Sequence, residues 1–400
     1  MAKAKPYVPP ERITSAFPEQ SGNVTNGLNE TQYRRASPFF WHPPDRQSHG
    51  DLQKVVLEYV MGEPQVGAEF MHSVRGGPER GPEPVAQADV IASASTRSHT
   101  EHIKTFALEH EADWVGITTM KDEYLFEGYE VEHKYIIVIG VGHSYEEMKT
   151  APATAADASS AVEVARQYNR GARVVARLRN HIRELGFPAQ DYPGPLADAV
   201  NMIPAALDCG FGELGKHGSI INRQLGSSFR LAVVTTDLPL ETDSPDEFGV
   251  DDMCKNCRLC EDVCPPGAIS PDKQTVRGVS KWYVDFDKCI PFLLKVLAVA
   301  SALWPARGAV PGLPTTCCIS WRAAKQSKVW VGTLDCLRRR IFMGHRKINR
   351  SIAFAGQVVG LREVADKNWL VSSIGFYLGF FDEDCGRVEP TTNPFLPARV

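Results

Sequence analysis

Apolar and polar positions along this chain change their rhythm near residue 99. From Met1 to about Ser98 the sequence is rich in Pro, Gly and polar residues, as in PPERITSAFP, HPPDRQSHGD and RGGPERGPEPV, with little periodicity. That pattern predicts an irregular N-terminal extension over 1–98, an arm wrapped on a folded body. Beyond it, His102–Ala112 has helical spacing, Asp113–Met120 reads as a short strand, and the β-branched run Lys134–Val141 reads as a buried strand. Between Ala161 and Leu185 apolar residues fall at Ala161, Val164, Ala165, Tyr168, Ala172, Val175, Leu178, Ile182 and Leu185. Spacings of three and four predict one long amphipathic helix, stopped by Gly186 and Pro188. Arg166, Arg170, Arg173, Arg177 and Arg183 lie mostly off that stripe and read as a solvated face rather than an anion site. Pro204–Leu207, a glycine-rich segment Cys209–Gly218 and a strand Arg230–Thr236 follow, so a mixed α/β domain runs over 99–245. The glycines match neither GxGxxG after a strand nor GxxxxGK[ST], which argues against a nucleotide cradle. In the tail, 326–400, the stretch Val371–Phe381 reads as helical.

Composition narrows the function. Four hundred residues make two or three domains, and 44 Lys+Arg against 48 Asp+Glu give a net charge of −4, without the basic excess that draws a chain to nucleic acid. The opening MAKAKPYVPPERITSAF lacks a secretory apolar core, and Arg34-Arg35 is followed by ASPFFWHPPD rather than an apolar run. The longest apolar run, Leu293–Trp304, contains Lys295 and is short of the ~20 residues that a membrane span needs. A cytoplasmic protein is expected.

Ten cysteines are too few for a disulfide scaffold, and half of them crowd between 254 and 289. Cys254, Cys257, Cys260, Cys264 and Pro265 form C-x2-C-x2-C-x3-C-P, the spacing with which a ferredoxin-like fold wraps a [4Fe-4S] cluster. Three thiolates reach three corners of one cubane, and the fourth serves a second cluster. Zinc prefers two separated pairs of ligands and suits this spacing less.

A two-cluster module over 246–325 needs a second run after Cys289, yet Phe292 is followed by LLKVLAVASALWPARGAVPGLPTTCCISW. The adjacent Cys317 and Cys318 do not reproduce a cluster loop. Back-translated and read one base earlier, Leu293–Gly312 can spell FAEGAGCGICAVACPWSRPG. With Cys289 this gives C-x9-C-x2-C-x3-C-P, the shifted cysteines falling at Val299, Ala302 and Ala306. The expectation is two compensating frame changes, one after Phe292 and one near 321–324, that put 293–321 out of frame; the alternative is an authentic apolar helix.

The strings GELGKHGSIINRQLGSSFRLAVVTTDLPL, Cys254–Pro265 and KWYVDFDKCIPF resemble the cobalamin-dependent reductive dehalogenase family and, more distantly, epoxyqueuosine reductase. The resemblance covers about His99–Cys289. It implies a nitroreductase-like domain that holds cobalamin with no histidine beneath the cobalt, followed by a ferredoxin-like domain with two [4Fe-4S] clusters. By the same resemblance Cys254, Cys257 and Cys260 bind the outer cluster, and Cys264 and Cys289 the cluster nearer the corrin. As written, the outer cluster lacks one ligand and the inner cluster two. The implied reaction is reductive removal of halide from an organohalide, aromatic by expectation, fed by a ferredoxin, flavodoxin or reductase. Because the family sets a tyrosine donor beside a Lys or Arg, Tyr168 and Lys216 are the candidates for proton delivery.

Three other readings stay open. An epoxyqueuosine reductase would act on a tRNA base, but its acidic donor string would fall near Leu196, where this chain has GPLADAV with Asp198. A plain electron carrier needs no α/β domain before Cys254. An inactive relic is the third, if the second cysteine run is lost in the gene itself.

Overall fold

The computed structural model describes residues 9, 11–39, 42, 48–75, 85–89, 95–151, 153, 157–194, 199–257 and 259–293, together with the strands between 329 and 389. The chain divides into two compact units, Met1–Arg307 and Gly308–Val400. In the first, the helices are α1 (Glu11–Thr14), α2 (Gly22–Thr25), α3 (Leu52–Gly62), α4 (Pro64–Arg75), α5 (Thr96–Glu109), α6 (Tyr145–Met148), α7 (Ser159–Glu184), α8 (Met202–Asp208), α9 (Val250–Asn256), α10 (Leu259–Val263) and α11 (Phe286–Leu293). Strands β1 (Trp114–Thr119), β2 (Tyr135–Gly142), β3 (Ala189–Tyr192) and β6 (Phe229–Thr236) form one sheet, while β4 (Glu213–Leu214) with β5 (Ile220–Ile221) and β7 (Gln274–Val276) with β8 (Val279–Lys281) are two small hairpins.

The main sheet has the order β1-β2-β6-β3 with every pairing antiparallel. Antiparallel strands often show water one face and then alternate in polarity, but here both faces are covered. Ile137, Ile139 and Val141 join Val174, Val175, Leu178 and Ile182 of α7, whereas Ile136 and Val138 join Ala205 and Ala206 of α8 and Phe211. That two-sided burial is why β2 reads as an unbroken apolar run. Gly140 admits Phe211, whose ring lies 2.4 Å from where a Cβ would stand, and Gly116 admits Trp114 in the same way at 2.2 Å.

Helix α7 matches the expected amphipathic span and closes at Leu185, with Gly186 at φ +91° supplying the left-handed turn. Four of the five arginines picked out in the sequence are ion-paired. Arg166 meets Glu163 at 3.1 Å, Arg170 meets Asp113 at 2.9 Å, and Arg173 and Arg177 meet Glu111 at 2.8 and 3.0 Å. The helix therefore offers less basic surface than its sequence implies.

The N-terminal stretch differs from the irregular extension expected of it, since α3 and α4 lie within it. Leu52, Val55 and Val60, then Val66 and Phe70, are buried against the first turns of α7 and against Ile290 and Leu293 of α11. Each helix carries a helical apolar stripe, but the break at Gly62-Glu63-Pro64 keeps both windows too short to register as periodic. Ahead of them the chain wraps other elements. Asn29 N–H donates to Thr275 O at 2.8 Å, and Arg277 and Gly278 N–H donate to Gly27 and Glu30 O at 3.0 and 2.9 Å, so residues 27–30 lie along the β7–β8 hairpin. Arg35 bonds Tyr129 O at 2.6 Å and pairs with Glu130 at 2.9 Å, tying the arm to the segment ahead of β2.

The second unit holds strands β9 (Val329–Gly332), β10 (Leu334–Asp335), β11 (Arg340–Met343), β12 (Arg346–Asn349), β13 (Val359–Ala365), β14 (Asn368–Ser373), β15 (Phe376–Asp382) and β16 (Arg387–Glu389). They form a three-stranded sheet β10-β11-β12 and a five-stranded sheet β16-β15-β14-β13-β9, antiparallel throughout. The helix expected over Val371–Phe381 is instead the β14–β15 hairpin. Aromatic and β-branched residues around the Ser-Ser-Ile-Gly interruption favour a strand pair over a helix. Among the described residues no helix is long and apolar enough to cross a membrane.

Candidate functional site

The cysteine run sits on two short helices. Glu213, on β4, accepts from the N–H groups of Phe248, Gly249 and Val250 at 2.5, 2.8 and 3.2 Å, capping α9 with a carboxylate where the helix dipole favours one. Cys254 stands one turn further on, 6% exposed, in a small core with Ile221, Val250 and Trp282. The backbone N–H of Lys216 donates to its Sγ at 3.4 Å, so the glycine-rich loop forms a wall of the cysteine site. Ala268 N–H donates to Cys264 Sγ at 3.3 Å.

Electrostatics divides the five thiols into two groups. Burial raises Cys254 and pushes Cys260 up to about 12, with Cys257 the neighbouring thiol acting on both. Cys289 is pushed up to about 12, by burial first and then by Cys264. Cys254, Cys257 and Cys260 thus form one neighbourhood, and Cys264 and Cys289 another. Among the described residues no three His, Cys, Asp or Glu side chains converge on one ion, and a cubane does not require it, because each thiolate binds a different iron. The donor set fits iron–sulfur ligation, with amide N–H groups already aimed at two sulfurs. Among the described residues one group holds three thiols and the other two. Val299, Ala302 and Ala306, and the whole of 294–328, lie outside the described residues.

Tyr168 and Lys216 have different recorded neighbours. Lys216 is 1% exposed; its Nζ lies 3.7 Å from Glu261 Oε2 and 5.0 Å from the centre of the Trp282 ring, on the Cys254 side of the fold. The cation beside Tyr168 is Arg230, whose guanidinium carbon is 4.6 Å from the ring centre. Burial pulls the Arg230 guanidinium below its ordinary range, and negative charge on Tyr168 acts in the opposite direction. Gly194 lets the chain pass this ring, for a Cβ there would lie 2.6 Å from Tyr168 Cδ1. Sequence reasoning missed Arg230 because it opens an apolar strand, where it reads as an edge residue. A charged side chain entering a buried strand was the available signal. Asp198, named for the tRNA alternative, lies outside the described residues.

Comparison with known proteins agrees with this geometry. The 4Fe-4S dicluster domain family matches residues 253–293, a span that includes all five cysteines. Tetrachloroethene reductive dehalogenase of Desulfitobacterium hafniense is 31% identical over 172 residues, 40% of this chain and 30% of that protein. The same-named protein of Sulfurospirillum multivorans is 28% identical over 205 residues, 49% and 36% of the two chains. Epoxyqueuosine reductase of Salmonella typhimurium is 36% identical over 140 residues, 33% of each. The chain therefore spans about a third of the length of these curated relatives. Among solved structures, a B12-dependent reductive dehalogenase shares the fold at a TM-score of 0.56 and 20% identity, covering 86% of this chain and 55% of that one. A catabolic reductive dehalogenase in complex with 3-bromo-4-hydroxybenzoic acid does so at 0.52 and 20%, covering 84% and 52%. This chain, a mixed α/β protein with a ferredoxin-like 4Fe-4S segment, thus has reductive dehalogenases as homologues and epoxyqueuosine reductases as more distant relatives.

Proposed function

We propose that this chain is an oxidoreductase of the reductive dehalogenase type, removing halide from an organohalide, an aromatic one by preference. The reading assigns 99–245 to a nitroreductase-like, cobalamin-holding domain, 246–325 to a ferredoxin-like domain, and 1–98 to an extension that supports both. It places the enzyme in the cytoplasm, with a ferredoxin, flavodoxin or reductase as electron donor. The observation that carries it is the separation of Cys254, Cys257 and Cys260 from Cys264 and Cys289 in a fold whose core also presents Tyr168 beside Arg230.

Replacing a carbon–halogen bond by carbon–hydrogen consumes two electrons and one proton and releases halide. When bound, the clusters and the corrin supply the electrons. The chain's own residues supply the proton, and Tyr168 is its donor. The Arg230 guanidinium, 4.6 Å from the ring centre, sets a positive charge beside the phenol. Lys216 adds its buried charge on the cysteine side. A tRNA-directed reading gains little from α7, where Arg166, Arg170, Arg173 and Arg177 are paired with carboxylates.

Anaerobic reconstitution tests the proposal. The chain is expected to bind about one corrin, and Tyr168→Phe to lose dehalogenation while keeping corrin and iron content. A folded chain that binds no corrin overturns the assignment, and turnover retained by Tyr168→Phe removes that residue as donor. Reading the coding DNA from Cys289 through Lys325 tests the second cluster. A frame that restores CGIC and CP completes both ligand sets, whereas a confirmed LLKVLAVASALW makes the inactive relic the better reading.

A further inference from the structure

A histidine pair far in sequence from the cysteines has the geometry of a metal site. His102 on α5 and His181 on α7 bring their Nε2 atoms to 2.7 Å, with ring centres 4.9 Å apart. Their rings are held in place. Phe106, one turn along α5 from His102, stacks on His181 at 4.0 Å and an interplanar angle of 5°, and its other neighbour is the His110 ring at 4.0 Å and 22°. His110 donates through Nδ1 to Phe106 O at 2.7 Å, which fixes that end of the stack. His102 is exposed and His181 half-buried, so the paired nitrogens are open to solvent. Glu184 is one turn beyond His181 and acts on it electrostatically.

We propose that His102 and His181 bind a divalent transition-metal ion through their Nε2 atoms, at a surface site separate from the cysteine clusters. With metal–nitrogen bonds of about 2.05 Å, two nitrogens on one ion stand about 2.9–3.3 Å apart, so a small outward movement of the 2.7 Å pair admits a divalent ion such as Ni²⁺ in place of the shared proton. Water completes the coordination.

Titration of the full chain with Ni²⁺ alone, followed by calorimetry, tests the site. The cysteines take up Ni²⁺ too, but equally in every variant, so the readout is the difference in equivalents bound. The wild type is expected to bind one equivalent more than His102→Gln and one more than His181→Gln, while His110→Gln binds as the wild type does. Iron reconstitution of His102→Gln is expected to be unchanged, which separates this site from the proposed enzyme chemistry. Equal Ni²⁺ uptake by the wild type and His102→Gln overturns the proposal and leaves the pair as an imidazole–imidazole hydrogen bond. Because His102 is exposed, that variant keeps the test valid even if His181→Gln does not fold.

Discussion

Asn23 on α2 is the residue whose loss most directly loosens the surroundings of Cys289. Its Oδ1 accepts from Tyr283 OH at 2.9 Å and from Phe286 N–H, the first amide of α11, at 2.8 Å. Its Nδ2 donates to Asp285 Oδ1 at 2.9 Å and to Asp287 Oδ2 at 3.2 Å. Asn23→Ala removes all four. The two accepted bonds are worth about 1 kcal/mol each, and the two to half-buried carboxylates together about 1 more once their rehydration is allowed for, a total near 3 kcal/mol. A 400-residue chain of two units need not unfold in one step, so a local probe is the better assay. Cys289 N–H donates to Asp285 O at 2.9 Å, a bond that the substitution does not remove directly, and its exchange reports the opening of α11. About 3 kcal/mol is roughly a hundredfold in an equilibrium constant, so hydrogen exchange at Cys289 is expected to speed up by that factor in Asn23→Ala. A change below about threefold would refute the idea that the arm holds this helix in place.

Other substitutions test the fold and its acid response. Gly116→Ala places a Cβ 2.2 Å from the Trp114 ring and 2.8 Å from Cys209 Sγ, and is expected to cost about 1–3 kcal/mol, read as a lower midpoint of thermal unfolding. Arg35→Ala removes exposed ion pairs with Asp122 and Glu130 and is expected to cost only about 1 kcal/mol after solvent screening, with a salt dependence that the wild type shows and the variant lacks. His49 is 2% exposed, neither ring nitrogen has a hydrogen-bond partner among the described residues, and burial pushes its pKa down to about 4. The unfolded chain binds that proton more readily, so the stability is fully present above about pH 6.5 and is lost as pH falls towards 4. His49→Phe is expected to flatten the loss of stability between those values, and an unchanged pH profile would show that His49 is not its source.

Elements whose burial is governed by neighbours close in sequence were legible. The stripe of α7 and the run of β2 each reflect a complete environment, a helix lying on a sheet and a strand covered on both faces. The cysteine spacing was legible because a cubane fixes the distance between its ligands along the chain as well as in space. Residues 371–381 misled because a hairpin whose interruption is Ser-Ser-Ile-Gly leaves nearly continuous apolar spacing, which a helix template also accepts. Arg230 was hidden for another reason. Its meaning depends on Tyr168, 62 residues earlier, and no local pattern carries a contact of that separation.

The clasp between α2 and α11 also has a consequence in time. Gly22 N–H bonds to Asp287 Oδ1 at 2.8 Å across 265 residues of sequence. At roughly 5–20 residues per second, a ribosome that has released the arm takes about 13–53 s to supply its partners. Throughout that interval the arm has no α11 to hold, and the cysteine helices emerge before their lateral support is closed. Closure of so long a loop is among the slowest contacts the chain makes. The bonds that fasten the start of α11, which carries Cys289, therefore form only after every residue of the 254–264 cysteine run has been synthesised.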